Sequence, residues 1–281
     1  MEQELIDDLI RLAFKEDIGD GDHTTLSTIP ASAQGRVQLI VKETGVLAGV
    51  EIARKIFHTF DPDLRMEIFI PDGSDVKVGD IAFTVEGKTR SLLQTERLVL
   101  NVMQRMSGIA TATRNYVKKL EGTKTRILDT RKTTPGMRIL EKEAVRIGGG
   151  HNHRIGLFDM ILLKDNHIDF SGGIENAIIR AKEYCWKNGK QLPIEIEVRN
   201  FDELNEVLRI GDVDRIMLDN FNVADTGKAV ELVNGRYPLE SSGGITYETV
   251  RDYAETGVDY VSIGALTHSI KSLDMSLKAF S

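Results

Sequence analysis

Several stretches of this sequence concentrate residue types that handle anions, sugars or metal ions. DTRKTTPGMR (129–138) places Arg131, Lys132, Arg138 and three threonines around a Pro-Gly pair. GGGHNHRIG (148–156) adds His151, His153 and Arg154, and MILLKDNH ends in Lys164, Asp165 and His167. The chain carries 36 Lys and Arg against 43 Asp and Glu, a formal charge of −7, so these cations mark a local anion site within an acidic protein. Forked guanidiniums suit carboxylates and phosphates. IEIEV puts Glu195 and Glu197 on one face of a strand, and RIMLD closes on Asp219. Carboxylates beside a cationic mouth suit sugar hydroxyls, Mg2+ or a developing positive charge. Salt bridges to nearby Arg and Lys are the alternative, and for Glu195 the two readings stand level.

Two small loops complete the set. SSGGIT contains Ser242, Gly243 and Gly244, and SIGALTHS contains Gly264 and His268; backbone amides in such loops can approach a phosphate closely. Thr134 and Pro135 fit the N-cap and first helical position of a helix running through MRILEKEAVRI to Gly148, whose start would add amides and a dipole to the anion site. His151 and His153 have no third well-spaced ligand, so hydrogen bonding to an anion is favoured over metal ligation. His167 reads as a structural residue that caps or holds Asp165.

The elements that must carry these residues follow from periodicity. Residues 1–16 place Leu5, Leu9, Leu12 and Ala13 at helical spacing, and EDIGDGDHTT then breaks the pattern. Between Gly35 and Gly87, the runs GRVQLIVKE, LRMEIFI and DVKVGDIAFTVEG, interrupted by a helix near 51–60, predict a small, mostly antiparallel α+β unit. Apolar residues at three-to-four spacing predict one long or kinked helix over 90–120, with Gly108 inside it. Six apolar runs then alternate with helical stretches: RILDTRK, MILLKDNH, IEIEVRN, RIMLDN, PLESSGG and YVSIGALTH. This is βα alternation around a parallel sheet closed or nearly closed as a barrel, whose strand ends form the site. Arg131, Lys132, Lys164, Asp165, Glu197, Asp219, Ser242 and Gly264 would face one mouth.

Composition excludes several classes. A nucleic-acid-coating surface does not fit the acidic balance, the single Cys185 gives no internal disulfide or thiolate metal cage, and no apolar run approaches the roughly 18 residues of a membrane span. The acidic first residues do not read as a secretory or mitochondrial signal, so a cytoplasmic location is expected.

TRKTTPGMR, GGGHNHRIGLFDMILLKDNH, IEIEV, LDNF, SSGGIT and EDIGDGDHTT, in that order except for the last, which is N-terminal, resemble the nicotinate-nucleotide pyrophosphorylase (carboxylating) family, the quinolinate phosphoribosyltransferases. The resemblance implies an α/β fold: an N-terminal open α/β sandwich over 1–108 and a C-terminal incomplete α/β barrel over 109–281, with the last helix packing back on the first domain. It implies transfer of phosphoribosyl from phosphoribosyl pyrophosphate to quinolinate with Mg2+, releasing pyrophosphate and CO2 and forming nicotinate mononucleotide for NAD biosynthesis. It also implies a homodimer, or a higher oligomer, in which Arg97 is shared across the interface. Arg97, Arg131, Lys132, His153, Arg154 and Lys164 fall on substrate-binding positions, and Glu197 and Asp219 on ribose and metal carboxylates. Ser242, Gly243, Gly244, Gly264 and His268 fall at the phosphate end, and Lys132, Glu197 and Asp219 are the expected catalytic groups. A related family associated with molybdenum transport departs at TTPG and KDNH. An aldolase with Lys164 as Schiff-base nucleophile, distinguishable by borohydride trapping, is the enzymatic alternative. A biotinyl- or lipoyl-like carrier would explain DVKVGDIAFTVEG, although it lacks the lysine expected at the hairpin tip.

Overall fold

A computed structural model describes residues 2–280. In chain order the elements are α1 (Glu2–Ile18), α2 (His23–Thr28), β1 (Gln34–Val41), β2 (Gly45–Val46), α3 (Val50–Phe60), β3 (Arg65–Ile68), β4 (Asp75–Val76), β5 (Ile81–Lys88) and α4 (Thr89–Lys119). There follow β6 (Arg126–Leu128), α5 (Arg138–Ile147), β7 (Ile161–Leu163), α6 (Asp165–Ser171), α7 (Ile174–Lys187), β8 (Ile194–Val198), α8 (Phe201–Ile210), β9 (Arg215–Asp219) and α9 (Val223–Val233). The last are β10 (Leu239–Ser242), α10 (Val250–Glu255), β11 (Tyr260–Ser262), α11 (Ala265–His268) and β12 (Met275–Ala279). None of the described helices is long and apolar enough to cross a membrane.

The chain forms two units that do not follow a single cut near residue 108. One comprises 1–114, 133–149 and 265–281; the other comprises 115–132 and 150–264. In the first, an antiparallel sheet has the order β12-β1-β5-β3. Val37, Leu39 and Val41 of β1 alternate into the core with Val85 and Phe83 of β5, as a half-buried sheet requires. On α3, Val50, Ala53, Ile56 and Phe57 share one buried stripe, and Phe57 meets Phe83 edge-on at 6.2 Å.

The long helix expected over 90–120 is α4, with Gly108 inside it; a Cβ there would lie 2.3 Å from the Lys271 carbonyl oxygen, so the glycine serves a close backbone approach. Two local expectations are corrected here. The C-terminal end is a strand, not a helix, because Met275 and Leu277 alternate with Ser276 and Lys278 and pair with β1. The helix expected from Thr134 begins at Arg138. Thr134-Pro135-Gly136-Met137 instead forms a turn, with the Met137 N–H donating to the Thr134 carbonyl at 3.0 Å and Gly136 at φ 81°, the pattern of a type II turn. The dipole proposed for Thr134 therefore belongs three residues later.

The second unit holds all six expected barrel strands in one parallel sheet, ordered β6-β11-β10-β9-β8-β7. β6 and β7 are its edges, so the barrel is incomplete, as the resemblance implied. Every residue of β8 is buried because both faces of the sheet are covered. Ile194, Ile196 and Val198 take one face and Glu195 and Glu197 the other, which is how one short strand presents two acids to the interior. The helices after β8 and β9 start at Asn200 and Asn222, whose side chains accept from the Glu203 and Asp225 N–H groups at 3.0 and 2.9 Å. These caps stop the strands where the functional side chains begin.

Candidate active site

The carboxyl ends of the parallel strands surround a cavity of about 590 Å3 within the second unit. Arg131 and Lys132 reach it from the loop after β6, His153 and Arg154 from the segment before β7, and Lys164 from the end of β7. Glu197 lines it from β8, Asp219 from β9, and Ser242, Gly243 and Gly244 from the end of β10. Ten of the expected site residues thus share one wall. Gly264 is outside the lining, while Arg97 and His268 belong to the first unit and are exposed there.

A residue the sequence reading did not single out organises the cationic side. Asp129, fully buried at the end of β6, accepts from the His153 N–H at 2.8 Å and from Asn152 Nδ2 at 2.9 Å, while its own N–H donates to the His151 carbonyl at 3.1 Å. The acid of DTRK therefore pins the HNHR segment beside Arg131 and Lys132. Arg154, nearly buried, donates from Nη1 to the Met160 carbonyl at 3.2 Å. Burial first, and the charge of Arg131 second, hold its pKa below the ordinary guanidinium value, with Glu195 and Asp159 opposing. Like charge from Arg131 and Arg154 on one cavity lining favours an anion bound beside them.

On the other side, Lys164 Nζ lies 3.0 Å from Glu197 Oε2, and Asn220 Nδ2 donates to Asp219 Oδ2 at 2.9 Å. His167 is structural, as expected, although its partner is Lys164: its Nδ1 accepts the Lys164 N–H at 3.1 Å at the start of α6. Leu162 and Met217 add apolar surface to the lining, fit for the face of an aromatic ring.

Beneath the wall lies a buried polar layer. His153 Nε2 is 2.9 Å from Glu195 Oε2 and 3.5 Å from Glu240 Oε2, while its Nδ1 accepts the Arg154 N–H at 2.7 Å. Arg215 Nη1 is 3.1 Å from Glu240 Oε2 and 3.9 Å from Glu195 Oε2, and its guanidinium stacks on Tyr260 at 4.4 Å. Both ring nitrogens of His153 thus face protein groups, and the anion it meets here is the Glu195 carboxylate. Although His153, Glu195 and Glu240 lie close enough to bracket a metal ion, Arg215 already brings positive charge to the two acids.

Burial, reinforced by the neighbouring Glu195, raises the Glu240 pKa to about 7, and burial also raises that of Glu195. The folded protein keeps the Glu240 proton up to about pH 7, whereas the unfolded carboxyl releases it near 4.5. Stability should therefore fall as pH rises between those values, by up to about 3 kcal/mol, and level off above. Glu240→Gln should flatten this part of the profile. Thermal melts from pH 5 to 8 that run parallel for the two proteins would refute the assignment.

Sequence comparison now bears on the site. Residues 22–107 match the quinolinate phosphoribosyl transferase N-terminal domain family and residues 109–278 the corresponding C-terminal domain family. The chain belongs to the quinolinate phosphoribosyltransferase family. Quinolinate phosphoribosyltransferase [decarboxylating] 1b of Nicotiana tabacum is 45% identical over 96% of this chain and 81% of its own length. NadC from Streptococcus pyogenes superposes with a TM-score of 0.91 at 40% identity, covering 98% of this chain and 97% of that one. The nicotinate-nucleotide pyrophosphorylase of Francisella tularensis gives 0.92 at 39%, covering 99% and 96%.

Proposed function

We propose that this protein converts quinolinate and phosphoribosyl pyrophosphate into nicotinate mononucleotide, pyrophosphate and CO2, a step of NAD biosynthesis. The observation that carries the reading is the Arg131–Arg154 pair at one end of a cavity whose other end holds Glu197, Asp219 and the Ser242–Gly244 loop. Pyrophosphate release that requires both substrates together tests it; release with either alone, or none, would refute it.

The residues act by position and charge. Arg131 and Arg154, with Lys132 and Lys164, bind the carboxylates of quinolinate, and the pyridine face lies on Leu162 and Met217. Loss of pyrophosphate leaves oxocarbenium character on the ribose, which the carboxylates of Glu197 and Asp219 stabilise. Amides of the Ser242–Gly244 loop hold the ribose phosphate. Glu197 and Asp219 are also the oxygen ligands that suit Mg2+, which when bound neutralises charge on the leaving pyrophosphate. Lys164 at Glu197 and Asn220 at Asp219 each occupy one carboxylate oxygen, so the protein offers few ligands and a shared site with substrate oxygens fits the donor set. Once its nitrogen carries the ribose, the ring is cationic; when the C2 carboxylate leaves as CO2, the electron pair left on C2 is stabilised as an ylide by the adjacent positive nitrogen and then takes up a proton, so no separate electron sink is needed. The working enzyme is a homodimer in which Arg97 of each chain completes the neighbour's quinolinate end.

Substitutions at the two ends should separate. Arg154→Ala is expected to raise the KM for quinolinate by about 10- to 100-fold with little change for phosphoribosyl pyrophosphate, the loss of a charged hydrogen bond. Asp219→Ala should mainly lower kcat or raise the KM for phosphoribosyl pyrophosphate. Steady-state kinetics in both substrates would show the reverse pattern if the cavity is occupied the other way round.

A further inference from the structure

Asn220 stands just past the end of β9 and lines the cavity. Its φ of 56° lies in the left-handed region, which asparagine tolerates better than most side chains but still at a steric cost. Three contacts keep it there. Its N–H donates to the Ser242 carbonyl at 2.8 Å, carrying the β9–β10 pairing one residue beyond Asp219 and Ser242. Its Nδ2 donates to Asp219 Oδ2 at 2.9 Å. Its Oδ1 fills the space beside Gly243, where a Cβ would lie 2.2 Å from it, and Gly243 itself has φ 100°.

A residue needed only for the turn would be served better by glycine, which adopts this φ without cost. The amide must therefore matter for what it touches, and it touches the Asp219 carboxylate on one side and the glycine loop on the other. We infer that Asn220 is a positioning residue for the phosphoribosyl donor, its amide holding the Asp219 carboxylate in register with the Ser242–Gly244 loop. The inference rests on the reading of Asp219 as the carboxylate that serves the ribose or its metal ion. With Oδ2 taken by Asn220, Oδ1 is the Asp219 oxygen available to the donor. The side chain that sets this oxygen also sits against Gly243, so the spacing between the ribose end and the phosphate end is fixed by one amide.

The test uses Asn220→Gly, Asp219→Ala and the double variant of the full-length protein, with KM and kcat measured for both substrates by pyrophosphate release. Asn220→Gly keeps the backbone conformation and removes only the amide. It should lose about 10- to 100-fold in kcat/KM for phosphoribosyl pyrophosphate, the range for residues that orient a ligand group, with the KM for quinolinate within about twofold of wild type and the melting temperature retained. The double variant should be no worse than Asp219→Ala, because Asn220 acts through that carboxylate. Asn220→Asp, which keeps the shape but exchanges the donor for a second carboxylate, should fail like Asn220→Gly. Wild-type donor kinetics in Asn220→Gly beside an impaired Asp219→Ala would overturn the inference. So would equal losses for both substrates, or a further tenfold loss in the double variant. If Asp219→Ala itself leaves the donor kinetics intact, the reading of Asp219 fails first and the inference falls with it, a result distinct from the others.

Discussion

Nicotinic acid is expected to be a very poor substrate, roughly a thousandfold or more below quinolinate in kcat/KM. It has the same ring nitrogen and would give the same nucleotide by direct transfer, so the chemistry of bond formation does not forbid it. What it lacks is the second carboxylate. Arg131 and Arg154 both line the cavity, and Arg154 is almost out of solvent. A substrate bearing one carboxylate forgoes a charge-assisted contact that quinolinate makes at this nearly buried guanidinium. The measurement is nicotinate mononucleotide formed from each acid with phosphoribosyl pyrophosphate under identical conditions. Comparable turnover would dispose of the two-carboxylate clamp.

The second large effect concerns Arg97. It is exposed on α4 and does not line the cavity, and an exposed arginine is ordinarily worth little. If each site instead borrows Arg97 from a neighbouring chain, Arg97→Ala and Lys164→Ala should each be nearly inactive. Unfolded together and reassembled, they should regain activity, since two-fold symmetry puts both lesions in one site of a heterodimer and leaves the other site whole. Random pairing makes about half the dimers heterodimers, so about a quarter of wild-type activity is expected. A reassembled mixture proven to contain heterodimers, yet as inactive as its parents, would eliminate the shared site.

Much of the second unit could be read from the chain because each strand ends in a polar residue and hands over to a helix, a recurrence that survives errors at single boundaries. Ten expected residues meet at one cavity for that reason. The misses have local causes. Thr134-Pro135 has the composition of a helix start, but Gly136 supplies the positive φ of a turn, and the turn prevails. Asp129 is hidden from a sequence reading because its role is to accept hydrogen bonds from the His153 N–H and the Asn152 side chain, in a segment more than twenty residues away, which no spacing rule reveals. Glu240 carried a usable signal: it precedes Ser242 by two residues, as Glu195 precedes Glu197, so both acids take the same sheet face one step below the mouth. Asn220 could be seen as a residue type that enters the left-handed region, but its grip on Asp219 depends on a neighbouring strand.

The strand β12 has a consequence for how the protein is made. Val37 pairs with Ala279 and Leu39 with Leu277, so β1 waits for a segment more than two hundred residues further along the chain before one of its edges is covered. Until then β1 can pair only with β5 on its other side. A growing chain therefore exposes an apolar strand edge throughout synthesis of the intervening barrel strands, the kind of edge that recruits other chains. Closure of so long a loop is slow relative to local helix formation, which makes sealing of the first sheet a late event. Chaperone demand should accordingly peak in that interval, and nascent chains lacking 275–279 should aggregate even though every residue of the cavity wall has already been made.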